Sequence, residues 1–145
     1  MKHFIRNFPT MRYKIIFLFI LTSLMILSFK PSVAQQKDMM IRIAEIEIIP
    51  EYLEEYKAIL KEESSASVKI EPGVIVIFPM YQKENPNQIR LLEIYANREA
   101  YEAHLKTPHF QHYKSTTLKM VKSLKLIEMS AIDPETMQEI FRKIK

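Results

Sequence analysis

Beyond residue 39 the chain breaks into short apolar segments of two different periods. From Met40 to Ile49 apolar residues alternate, with Ile41 and Ile43 on one side and Ala44, Ile46 and Ile48 on the other, so a strand is expected. Pro50 then opens a helix whose first turns carry Glu51, Glu54 and Glu55. Leu53, Tyr56 and Leu60 form its apolar stripe. Continued, the stripe reaches Ser64 and Ser67 with Glu63 beside them. A stripe that turns polar is either a helix end fraying into solvent or the wall of a pocket.

Glu71-Pro72-Gly73 reads as a turn in which the glycine is free to take a positive φ. Val74 to Tyr81 follows as a strand, with Val74, Val76, Phe78 and Met80 facing one way and Ile75, Ile77 and Tyr81 the other. Pro79 points to an edge position or a bulge. A loop over 83–87 leads to the strand Gln88 to Ala96, which sets Ile89, Leu91, Glu93 and Tyr95 on one face. Asn97 is a good N-cap for a short helix, Arg98 to Lys106, striped by Ala100, Tyr101, His104 and Leu105. Thr107 and Pro108 start a second helix. Its period runs through Phe110, Tyr113, Thr117, Met120, Val121 and Leu124, with His109 at the stripe's edge and His112 pointing away. Lys125 to Ile132 is the last expected strand, and Asp133-Pro134 caps a C-terminal amphipathic helix within 133–145.

Strand, helix, strand, strand, helix pair, strand is the split βαβ order of an α+β, ferredoxin-like domain with an antiparallel sheet, here over 40–132. Strands apolar on both faces need cover on both, yet the helices suffice for one layer. The second face is expected to meet another copy of the chain, giving a homodimer.

The segment before the domain changes the charge picture. Lys2, Arg6, Arg12 and Lys14 precede an apolar run from Ile15 to Phe29, and Ser32-Val33-Ala34 offers small residues for cleavage. Residues 1–34 therefore read as a signal peptide, followed by a loose tail over 35–39, and the protein is expected to be exported to a periplasmic or extracellular space. The run is short for a membrane-spanning helix, which needs about 20 residues; left uncleaved, it would be the chain's one link to a membrane. The leader holds five of the 21 basic residues and no acid, so the exported remainder has a net charge of −1. The basic character belongs to the leader, and no case for nucleic acid as a partner survives. The chain has no cysteine, so no disulfide can contribute. Its single glycine excludes glycine-rich phosphate cradles and the nucleotide cofactors they hold.

The chemically dense stretch is Glu93 to Tyr113, which holds every histidine outside the leader. His104, His109 and His112 are spaced five and three apart across a helix break, which matches no familiar metal-ligand spacing, so no metal is expected. A histidine on an apolar stripe is either a core residue with one satisfied hydrogen bond or a base facing a pocket.

Several segments carry a resemblance: IAEIEIIPEYLEEYKAIL at 43–60, Glu71-Pro72-Gly73, Leu92-Glu93-Ile94-Tyr95 and, above all, AYEAHLKTPHFQHY at 100–113. Over about residues 40–130 the chain resembles the antibiotic biosynthesis monooxygenase family, quinol-monooxygenase-like proteins of the dimeric α+β barrel superfamily. The resemblance implies a homodimer whose two sheets close into a barrel, with a pocket in each subunit between sheet and helices. Several members oxidise quinols or polycyclic phenols with O2 using neither metal nor flavin; relatives degrade haem or isomerise a small sugar derivative. Where many relatives carry tryptophan two residues after the strand glutamate, this chain has Tyr95. Of the histidine, tryptophan and asparagine set of the haem-degrading branch, only His104 can be matched.

The resulting expectation is a cofactor-independent monooxygenase for a quinol-like or polyphenolic small molecule, the alternatives being a non-oxidative isomerase or a ligand-binding dimer on the same scaffold. His104 suits the base, and Glu93 would orient the imidazole or take the proton itself. Tyr95 and Tyr81 would bind substrate oxygens, Ser64, Ser67 and His109 would add polar contacts, and Phe110 and Tyr113 would form walls. Plain core packing is the competing reading for each aromatic, and for Met120.

Overall fold

The computed structural model describes residues 39–144. The expected leader over 1–34 and the tail up to residue 38 lie outside the described residues. Four strands and four helices follow in the order expected. They are β1 (Met40–Ile48), α1 (Leu53–Ile70, entered through one 3-10 turn at Pro50–Tyr52), β2 (Val74–Tyr81), β3 (Gln88–Tyr95), α2 (Arg98–His104), α3 (Pro108–Thr117), β4 (Val121–Met129) and α4 (Thr136–Lys143). The sheet is antiparallel throughout, in the order β2-β3-β1-β4, which is the ferredoxin-like topology. Pro79 sits on an edge strand, where its missing N–H costs no ladder bond.

One sheet face lies under the helices. Ala44, Ile46 and Ile48 of β1, Ile89, Leu91 and Tyr95 of β3, and Val74 and Ile77 of β2 meet Tyr56 and Leu60 of α1 and the fully buried Met120. Each fully buried aliphatic side chain there is worth about 1.5–3 kcal/mol. The caps form as the sequence suggests: Asn97 accepts a hydrogen bond from the Ala100 amide at 2.8 Å, and Thr107 accepts one from Phe110 at 3.4 Å.

Several boundaries and one facing differ from expectation. The helix begun at Pro108 ends at Thr117, a single 3-10 turn spans Leu118–Met120, and the last strand is Val121–Met129 rather than Lys125 to Ile132. β4 carries an irregularity in its pairing with β1, between Glu47 and Ile48, so Val121 opposes Ile48 while Leu124 opposes Ile46. Both Val121 and Leu124 therefore face the helices although they are three apart, and a spacing of three imitates a helix. A second irregularity, between Val74 and Val76, turns Val74 inward with Ile77 instead of outward with Val76.

Gly73 also differs. Its φ is not positive. A Cβ there would lie 2.5 Å from the Ala100 Cβ, so the glycine is needed for the close approach of α2, not for turn conformation.

Candidate functional site

Between the helices and the inward face of the sheet lies a cavity of about 550 Å³. Its polar walls include Arg42 on β1, Glu63 on α1, Glu93 and Tyr95 on β3, His104 at the end of α2, Lys114 and Thr117 on α3, and Lys122 and Ser123 on β4. Apolar walls include Phe110 and Tyr113 of α3 and Leu124 and Leu126 of β4.

His104 is almost fully buried, and its two ring nitrogens meet two different carboxylates. Nδ1 lies 3.0 Å from Glu71 Oε1, in the turn after α1. Nε2 lies 3.6 Å from Glu63 Oε1, beyond hydrogen-bond reach and on the side where both residues line the cavity. Glu71 Oε1 also accepts from His109 Nε2 at 2.6 Å. Burial alone would raise the Glu71 pKa, but the hydrogen bonds from His104 and His109 outweigh it and hold the carboxyl below its usual range. An ionised Glu71 accepts from Nδ1–H, which in the neutral ring leaves the lone pair on Nε2. Glu63 is the opposite case. Burial pushes its pKa up, against the opposing effects of a 2.9 Å hydrogen bond from Ser67 Oγ and of the two histidines.

Glu93 does not orient His104. It stands opposite Arg42 in the β1–β3 register, and its Oε2 accepts from Arg42 Nε at 3.0 Å, from Arg42 Nη2 at 2.6 Å and from Tyr95 Oη at 3.1 Å. A carboxylate held by a buried guanidinium is a poor base, so the orienting role expected of Glu93 belongs to Glu71. The Arg42 guanidinium also lies 4.5 Å from the centre of the Tyr101 ring. Burial raises the Tyr95 phenol well above its ordinary range, and the nearby Glu93 charge adds to this.

The remaining expected residues divide cleanly. Tyr95, Phe110 and Tyr113 line the cavity, and the His104 and Phe110 ring centroids are 4.7 Å apart. Tyr81 does not: it is 55 % exposed near the end of β2, with Lys57 Nζ 4.6 Å from its ring centre. Ser64 and Ser67 are buried but turned into their own helix, Ser64 donating to the Lys61 carbonyl and Ser67 to Glu63. Ser67 thus holds a wall residue instead of forming a wall. His109 acts through Glu71 and is not among the cavity walls. Among the described residues no buried side-chain nitrogen or oxygen lacks a partner.

Arg42, Glu63 and Glu71 were missed. Arg42 shares the parity of Ala44, Ile46 and Ile48, so a cation on an apolar strand face was the available signal. Glu63 continues the inward stripe of α1. Glu71 carried no local signal beyond its place in the turn. Spacing along the chain also suggested no metal-ligand group, yet Glu71, His104 and His109 bring one ligand atom each to within 4.8 Å of one another.

The family model for antibiotic biosynthesis monooxygenase matches residues 39–116. A Bacteroides thetaiotaomicron VPI-5482 protein assigned as an antibiotic biosynthesis monooxygenase is 47% identical, covers 68% of this chain and 94% of its own, and superposes with a TM-score of 0.68. The chain belongs to the antibiotic biosynthesis monooxygenase family. A protein from Lactobacillus acidophilus NCFM, assigned as a monooxygenase, is 32% identical over 64% of this chain and 44% of its own, with a TM-score of 0.63. At 21% identity, an antibiotic biosynthesis monooxygenase assigned in Nitrosomonas europaea (TM-score 0.62, 66% of this chain and 92% of its own) shares the fold. Among curated proteins none matches. Within the family match lie Arg42, Glu63, Glu71, Glu93 and His104.

Proposed function

We propose that the protein is an exported monooxygenase that oxidises a quinol-like or polyphenolic small molecule with O2, without flavin or catalytic metal. One observation carries this reading: His104 has one ring nitrogen tied to the Glu71 carboxylate while the other lies at the wall of an apolar cavity. A base so arranged needs no other group to set its tautomer.

Ground-state O2 is a triplet and accepts single electrons more readily than pairs, so the substrate must first become an electron-rich anion. His104 Nε2 takes the proton from a phenol or from its carbon acid tautomer. The Arg42 charge on the cavity wall favours the anion. The anion passes one electron to O2; the resulting radical and superoxide combine as a peroxide, which loses water. For a ring methylene, the carbon gives up both hydrogens and gains one oxygen atom as a carbonyl, while the other oxygen atom of the same O2 leaves with those two hydrogens as water. The apolar walls keep solvent from quenching the intermediates.

The proposed assembly is a homodimer. On the sheet face turned away from the helices, Phe78, Leu92, Ile43 and Ile127 align across all four strands, and so do Val76, Ile94, Ile41 and Met129. Phe78 and Met129 are exposed in the single chain. Two apolar rows on one sheet face fit a symmetric, self-complementary contact.

The test is O2 uptake by the purified protein on a panel of quinols and anthrones, followed in an oxygen electrode. Uptake that is stoichiometric with product and insensitive to flavin removal supports the reading. Anaerobic conversion of a substrate to an isomer would replace it with the isomerase alternative.

A further inference from the structure

We infer that Glu71, His104 and His109 form a binding site for a divalent transition-metal ion of the zinc class, whose occupancy withdraws His104 from its role as base. The set is two imidazoles and one carboxylate, the donor combination that borderline divalent ions such as Zn²⁺, Co²⁺ and Ni²⁺ prefer. The three come from three places: the turn after α1, the end of α2 and the first turn of α3. Glu71 Oε1 already lies 3.0 Å from His104 Nδ1 and 2.6 Å from His109 Nε2, and all three ligand atoms are within 4.8 Å of one another. Tetrahedral coordination at bond lengths of about 2.1 Å places ligand atoms about 3.4 Å apart. Side-chain shifts of well under a residue's length convert one arrangement into the other.

The surroundings fit a metal site as well as the donors do. Metal-bound histidines usually give their second nitrogen to a carboxylate that fixes the ring. Glu63 Oε1, 3.6 Å from His104 Nε2 and held by Ser67 Oγ at 2.9 Å, would take that place by closing about half an ångström. Glu71 is ionised and supplies the compensating charge. The Glu71 and His109 side chains are 12% and 18% exposed, enough for an ion to enter.

Of the three ligands, His104 alone lines the cavity. An ion held at its Nδ1 therefore sits behind the imidazole, not beside a molecule in the cavity. Binding moves the ring hydrogen of His104 from Nδ1 to Nε2 and that of His109 from Nε2 to Nδ1, with no net proton lost from the two neutral rings. His104 Nε2 then has no lone pair to offer. The site itself stands on the geometry of the three ligands; the loss of base function rests on the reading proposed above.

The deciding experiment is calorimetric titration of the full chain, stripped of metal with a chelator, with Zn²⁺ and no substrate. One ion per chain is expected. Glu71→Gln and His109→Ala should each weaken binding by about tenfold or more, while His112→Ala, an exposed histidine on the same helix as His109, should leave it unchanged. Melting curves on each variant confirm folding, and His109→Gln repeats the test with a side chain closer in size. Nitrogen NMR of the imidazoles reads the second half: the His104 ring proton should be on Nδ1 without zinc and on Nε2 with it. No binding, or binding indifferent to Glu71→Gln and His109→Ala, overturns the site. Zinc binding with an unmoved His104 proton overturns the claim that it silences the base. Neither readout involves turnover, so failure of the monooxygenase reading would show separately.

Discussion

Arg42 and Glu93 face each other across β1 and β3, and the guanidinium gives both its Nε and Nη2 hydrogens to one carboxylate oxygen. Both side chains are more than nine-tenths buried. Arg42→Ala would leave Glu93 charged, buried and unpaired, and should destabilise the fold by about 3–5 kcal/mol. Replacing both partners with apolar residues of similar size should recover most of that loss. Urea denaturation of the single and double variants checks it.

His104→Gln should leave the fold standing and lower turnover of an accepted substrate by about a hundredfold or more. Glu71→Gln should lower kcat by at least about tenfold with little change in KM, since it touches the base and not the cavity. Steady-state kinetics and melting curves on the same preparations separate these effects from misfolding.

Tyr56 and Tyr113 share a 2.7 Å hydrogen bond between their hydroxyls. Burial, and then the neighbouring phenol, drives Tyr56 far above the ordinary phenol range; burial likewise pushes Tyr113 up to about 12. The folded state holds these protons more tightly than the unfolded chain, whose tyrosines titrate near pH 10. Their contribution to stability is therefore whole below about pH 10 and is lost as pH rises through about 12. Ultraviolet titration should show the buried phenols ionising only together with unfolding.

Phe78→Arg places a charge at the edge-strand end of the outer apolar row and should convert a dimer into a monomer. Light scattering is expected to give about twice the chain mass for the wild type and one chain mass for the variant. A monomeric wild type would overturn the dimer. The mass of the chain isolated from its host tests export in the same way: it should begin at or near Gln35.

The element order and the inward faces of β1 and β3 could be read from alternation, because two residues per repeat leave little room for error. Where a strand slips by one residue, as β2 does after Val74 and β4 does opposite Ile48, the alternation breaks and a helical spacing takes its place. No single-chain pattern distinguishes that from a helix. The site was half legible. His104, Tyr95 and Phe110 sit in one recognisable stretch, but the carboxylate that fixes His104 lies 33 positions away in a turn. Only the folded chain brings a turn residue and a helix end together. Tyr81 differs for a simpler reason: it is the last residue of edge strand β2, with its side chain mostly in solvent.

The close contact between Gly73 and Ala100 gauges the site. Gly73 lies two residues after Glu71, and Ala100 one helical turn before His104. The gap left by one missing methyl group thus sets how far α2 stands from the α1–β2 turn, and with it the distance from acid to imidazole. Gly73→Ala should cost about 1–3 kcal/mol of stability, a loss that a sturdy variant could absorb. The displaced imidazole would not recover with it. A protein restored to full thermal stability by changes elsewhere would still carry its base out of register, so tolerance to heat and competence in catalysis can be uncoupled at a position that touches no substrate.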